Sequence, residues 1–341
     1  MPGKRQFEQQ IAALEALRQA PAEARIEPLR NALANKSNFI AAKAADLIRE
    51  TNLQELTSDL LKAFDRFFEN AVKSDSQCWA KNAISRTLAA FELQEPNVFL
   101  RGMRHIQLEP VWGGQSDTAG TLRAICALAL VRCGRLSEAE VLTHLVDLLA
   151  DKDKTVRAEV VRAIDQVGSS SASLLLRLRA TLGKDEPEVL GACYGGILDI
   201  EGVRAIAWVA HFLSQEDEAA GEAALAIAGT HSPEAVESLR HALENANDAW
   251  FRSILLSAIA LTRQDAAMDF LLDLVEKESL NAEGAVEAIF PVRAIGRTGA
   301  AFARGDVRKS PIGTSSSRME GVLTRSHRPI SSPNLKLRAD G

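Results

Sequence analysis

Imidazole, thiolate and hydroxyl groups carry most side-chain catalysis and metal binding, so their spacing is the first thing to test. The histidines are His105, His144, His211, His231, His241 and His327, and no two form an H-x-x-x-H or H-E-x-x-H pair. Cys78, Cys126, Cys133 and Cys193 form no C-x-x-C pair and sit in apolar stretches. That spacing supports no zinc site and predicts four buried free thiols in a reducing compartment. No G-x-S-x-G elbow is present, and the glycine pairs Gly113–Gly114 and Gly195–Gly196 fit neither a P-loop nor a dinucleotide fingerprint. We therefore expect no catalytic residue, no resident metal and no cofactor.

Binding chemistry has more candidates. Arg157 follows the apolar Val156, and Trp79 holds the matching place after Cys78. Lys81, Arg123 and Arg162 fall nearby on successive predicted helices. Together they would make an aromatic and basic row for an acidic or phosphorylated peptide. The plainer reading is that these cations pair locally with acids such as Asp153 and Asp165. A second candidate is the long connection QLEPVWGGQSD, which carries Trp112 and interrupts an otherwise regular pattern.

The elements that must position these residues are helices. In and just before the stretch from His144 to Gly168 lie two apolar faces: Val141, Leu145, Leu148 and Leu149, then Val156, Val160, Ile164 and Val167. Between them lies Asp-Lys-Asp, where Asp153 can cap the second helix, and Gly168 can close it in the left-handed conformation. Similar pairs recur at Leu29–Glu50, Glu201–Gly229 and Pro233–Leu261. Anchored on the breaks at Asp151, Lys184, Gln215, Asn245 and Glu278, the steps are 33, 31, 30 and 33 residues. A near-constant step with a helix on each side of a turn predicts stacked helix pairs. Less regular pairs are expected at Leu56–Glu69 with Gln77–Phe91 and at Asn97–Ile106 with Asp117–Cys133.

The recurring break followed by Val-Arg-x-x-x-Val-x-x-Ile, as at Val156, Arg157, Val160 and Ile164, resembles HEAT-like repeats of the short type found in phycobilisome lyase subunits. The resemblance spans residues 24–290. It implies an all-α fold, a right-handed α-α superhelix of seven to eight stacked two-helix repeats, with residues 1–23 as a capping helix. It also implies that the second helices line a concave face, which is where Trp79, Lys81, Arg123, Arg157 and Arg162 would lie. The implied function is a non-catalytic scaffold or adaptor with a protein or peptide partner. A bilin-lyase-type subunit and a glycosylase-like nucleic-acid binder are the alternatives within the resemblance.

Charge bears on that choice. Residues 291–341 carry ten Lys/Arg and three Asp/Glu, whereas residues 1–290 carry thirty and forty-two. A net charge near −12 on the body argues against a phosphate-backbone binder. Residues 291–341 lose all helical period and are rich in Gly, Ser, Pro and Arg, which predicts a segment that does not order itself. A shifted reading frame after Ile289 would produce the same abrupt change. No run of about 18 apolar residues is present, so no membrane span is expected and the default location is cytoplasmic.

Overall fold

The structure is a computed structural model that describes residues 2–290. The basic segment 291–341 lies outside the described residues. The described residues divide into two compact units, the first ending at Gly202 and the second beginning at Val203.

The first unit begins with α1 (Pro2–Ala16), where the sequence predicts a lead-in helix. Five helix pairs follow: α2 (Ala22–Leu33) with α3 (Asn38–Glu50), and α4 (Thr57–Arg66), the single turn α5 (Ala71–Ser74) and α6 (Trp79–Ala90). Then come α7 (Pro96–Met103) with α8 (Gly120–Val131), α9 (Glu138–Leu148) with α10 (Lys154–Val167), and α11 (Ser170–Leu182) with α12 (Pro187–Glu201). The second helices pack in sequence order, α3 on α6, α6 on α8, α8 on α10 and α10 on α12.

In the second unit the first element is broken. A five-residue helix α13 (Ile206–Ala210) lies between 3-10 turns where one longer helix is expected. It is followed by α14 (Glu218–Gly229), α15 (Pro233–Asn245), α16 (Ala249–Leu261) and α17 (Asp265–Glu276). Residues 282–290 are helical. No helix among the described residues is long and apolar enough to cross a membrane.

Asp153 caps α10 as the sequence predicts, and six more residues act in the same way. Ser37, Ser137, Asp153, Ser169, Asp217, Ser232 and Asp248 each accept a hydrogen bond from a first-turn N–H of the helix they precede. Each such cap contributes about 1 kcal/mol. Gly168 ends α10 at φ +69°, and Pro187 and Pro233 open α12 and α15 in the first turn. The core is aliphatic, with Ile40, Ala41, Ala44, Ala45 and Ile48 of α3 buried and Val156, Val160, Val161 and Ile164 of α10 likewise. Close approach is most demanding at Gly102, where an added Cβ would stand 2.3 Å from Cys126 Sγ across the α7–α8 contact. A larger residue there would force those helices apart.

Two local features depart from expectation. The second helix of the 56–91 pair begins at Trp79 rather than Gln77, because Gln77 and Cys78 are left-handed at φ +58° and +54°. The connection read as a loop is a β-hairpin of β1 (Leu108–Val111) and β2 (Gly114–Asp117). Val111 pairs with Gly114 across the two-residue turn Trp112–Gly113, and Gly113 supplies the positive φ of +86°.

Candidate functional site

The hairpin is held at its base by a buried polar cluster. Glu109 accepts four hydrogen bonds: from Ser76 Oγ at 2.9 Å, Gln77 N at 2.6 Å, Gln107 Nε2 at 2.6 Å and Thr118 Oγ1 at 2.8 Å. Burial alone would raise its carboxyl pKa, but these donors hold it below the usual range. Next to it the buried Asp75 accepts from Ala80 N, Lys81 N and Lys81 Nζ at 2.8, 3.0 and 3.0 Å. Asp75 thus caps α6 from outside the helix and pairs the fully buried Lys81, whose ammonium also donates to the Phe67 carbonyl at 3.1 Å. Gln107 ties the Glu109 carboxylate to the Asp75 backbone by donating also to the Asp75 carbonyl at 2.8 Å.

Farther along the first unit, arginines join one break to the next. Arg123 donates to both oxygens of Asp151 at 2.7 and 3.1 Å, and to Asp117 at 2.7 Å and the His105 carbonyl at 3.0 Å. Arg157 reaches Asp185 at 2.6 Å, pairs with Glu186, and donates back to the carbonyls of Asp151 and Lys152 at 2.7 and 3.1 Å. Arg179 also pairs with Asp185. Burial would raise the Asp185 carboxyl, yet the two guanidinium groups hold it far below its ordinary value. An open cleft of about 810 Å³ lies over this edge, bounded by Asp151, Arg157, Arg179, Lys184 and Asp185. Its arginines are already paired, Arg157 with Asp185 and Glu186 and Arg179 with Asp185.

A different surface lies at the other end of the unit. Phe7, Phe39 and Trp79 form a chain of rings from α1 through α3 to α6, each centroid 5.6 Å from the next. Trp79 keeps 46% of its surface exposed, and Lys43 Nζ sits 5.8 Å from the Phe39 ring centroid. These rings leave apolar area exposed at the surface.

The thiols are chemically quiet. All four are free and buried, and burial pushes Cys78 up to about 11 and Cys126 and Cys193 up to about 12. At neutral pH they carry almost no thiolate, so none is poised as a nucleophile. Asp165 of α10 is raised to about 6, first by burial and then by repulsion from Asp199. Among the described residues no group of three or more His, Cys, Asp or Glu side chains could hold a metal ion.

The structure separates the residues that sequence places in one row. Lys81 and Arg123 are buried and Arg157 is nearly so, all consumed by ion pairs within the unit. Their carboxylate partners also differ from those expected. Asp153 is engaged as a cap on Thr155 N, and Asp165 packs beside Gly196 near Asp199. Trp79 and Arg162 stay at the surface, Arg162 paired with Glu159 in its own helix, while Trp112 stands alone at the hairpin tip. Phe39, Phe7 and Trp250 were missed. Trp250 follows the cap Asp248 by two residues, as Phe39 follows Ser37, and it is about half exposed. A further legible signal was Asp-x-x-x-Arg: Arg157 and Arg252 each stand four residues after their cap and donate to carbonyls of their own break. Neither a protein-family model nor a curated protein sequence matches this chain.

Proposed function

We propose that the chain is a non-catalytic, HEAT-like α-solenoid scaffold of the cytoplasm, with a protein segment as its ligand. The sequential packing of the second helices α3, α6, α8, α10 and α12 supports the repeat reading for the first unit. The observation that carries the binding reading is the part-exposed ring chain Phe7–Phe39–Trp79, whose last two rings sit on the second helices α3 and α6 that would line the concave face. Aromatic side chains on a supported surface are the usual anchors of protein interfaces. The occupied state of Lys81, Arg123 and Arg157 shifts the partner away from a strongly acidic or phosphorylated peptide. A segment with apolar or aromatic anchors fits the rings better. The acidic body weighs against nucleic acid.

The test is affinity capture from nuclease-treated lysate of the source cell with the full chain and its W79A variant as baits. One protein recovered near stoichiometry by the wild type and lost with W79A supports the reading. Retention of nucleic acid or a coloured ligand in an untreated control, with no enriched protein, overturns it.

A further inference from the structure

Charge is divided unevenly between the two units. Residues 1–202 hold 25 Lys/Arg and 27 Asp/Glu, a net of −2, whereas residues 203–290 hold 5 and 15, a net of −10. The acidity of the body therefore belongs almost wholly to the second unit. Within it, α14 and the closing helix of residues 282–290 contain no Lys or Arg. The one cation of α16, Arg252, is turned back onto the carbonyls of Ala246 and Asn247 at 3.2 and 2.9 Å. Glu218 of α14 and Glu283 and Glu287 of the closing helix are exposed.

The same helices leave apolar side chains uncovered. α14 packs on α16, and Gly221 makes room for the contact: a Cβ there would stand 3.4 Å from Trp250 Cη2 and 3.7 Å from Ile254 Cγ2. Trp250 is thus seated along one edge and still keeps 48% of its surface exposed, and Leu225, one turn beyond Gly221, keeps 40%. The closing helix also packs on α16, at Gly284, where a Cβ would stand 2.7 Å from Leu256 Cδ1. An apolar face flanked by carboxylates and without a free cation favours a segment that brings positive charge together with an apolar anchor.

The chain carries such a segment directly after this face. Residues 291–309 follow Phe290, the last residue of the closing helix, and hold Arg293, Arg297, Arg304, Arg308 and Lys309 against the single acid Asp306. Their one aromatic residue is Phe302. Neighbouring helix axes lie about 10 Å apart and a turn rises about 5 Å, so Phe290 and Trp250 are separated by on the order of 20 Å. At about 3.3 Å per extended residue the chain from Phe290 to Phe302 covers that span with slack. So short a tether holds the segment beside the face at an effective concentration of about millimolar, enough to populate a weak contact. A composition too poor in apolar residues to order by itself can order against a surface of opposite charge.

We propose that residues 291–309 dock on the α14–α16 face of their own chain, with Phe302 against Trp250 and Leu225 and the basic side chains over Glu218, Glu283 and Glu287. The contact is sensitive to salt, because the charges that hold it are exposed. The test is limited trypsin digestion of the full chain at low and high salt (about 0.05 and 0.5 M), with each cleavage site timed by mass spectrometry. Cleavage after Arg325 and Arg328, outside the docking segment, is the internal reference for trypsin activity. In the wild type, cleavage after Arg297, Arg304 and Arg308 should be slowed about tenfold at low salt relative to the reference, and high salt should remove the protection. The variants W250A, E218Q/E283Q/E287Q and F302A should each lose the protection at low salt. Circular dichroism checks folding, and F302A, which lies outside the helices it contacts, decides the matter if W250A is misfolded. Rapid cleavage of the wild type at both salts overturns the proposal. Protection that survives in the glutamine variant or in F302A also overturns it, since the segment then sits elsewhere. Protection lost on dilution of the wild type would place the segment on a neighbouring copy and overturn the intrachain contact.

Discussion

Between α8 and α12 the first unit joins its helix pairs with charge: Arg123 reaches Asp151, Arg157 reaches Asp185, and each guanidinium spans from one break to the next. Between α1 and α6 the same unit joins successive helices with rings, Phe7 to Phe39 to Trp79. The ionic edge pairs its guanidinium groups with carboxylates of the same unit. The ring edge retains exposed apolar surface after packing. The difference teaches that a charged residue beside a regular break is weak guidance to a binding site, because the next break supplies its counter-ion. A large aromatic there is stronger guidance, since packing one edge of a ring leaves the other edge free.

The largest effect should come from breaking the ionic edge. D185N removes a nearly fully buried carboxylate from between Arg157 and Arg179, and should lower stability by about 3 kcal/mol in urea denaturation at pH 7. Because Asp185 titrates below its unfolded value, its contribution is present above the unfolded pKa near 4 and lost as pH falls through the lower folded value. The variant should therefore show a shallower acid limb. A loss no greater than that of W79A would break the comparison.

D165N sharpens it from the opposite side, since Asp165 has a carboxylate neighbour and no cation. Its folded pKa of about 6 lies above the unfolded value, so its contribution is full below pH ~4 and disappears as pH rises through 6. Replacing it should raise stability at pH 7 by about 1 kcal/mol after allowance for solvent screening, and should remove the decline between pH 4 and 6. A destabilised variant would mean that Asp165 is paired in solution. The smallest effect is expected at Arg162, whose pairing with Glu159 is confined to one helix face. R162A should change stability by less than about 0.5 kcal/mol in the same assay.

The helix pairs were legible because their signals are local. Asp153 before α10, Gly168 after it and Pro233 at the start of α15 act on backbone groups within a turn of themselves. The hairpin was not legible. Its strands are four residues long, contain a proline, and owe their order to Glu109 meeting Ser76 and Gln77, about thirty positions earlier. Of the candidate residues, Trp79 is singled out by its place after Cys78 and Trp112 by its place in the long connection, and both lie at the surface. The fate of Lys81 could not be found that way, because Asp75 reaches it through two left-handed residues that no pattern of apolar spacing reveals.

Sequence by itself determined where the most regular helices start and stop, as α10 does between Asp153 and Gly168, that their apolar faces are aliphatic, and that the body is acidic, all properties of near neighbours in the chain or of composition. Tertiary structure alone decided which cations are spent and which aromatics are free. Ion pairs such as Arg123–Asp151 and Arg157–Asp185 span 28 residues, and an ionised side chain is exposed or neutralised according to the partner that packing brings to it.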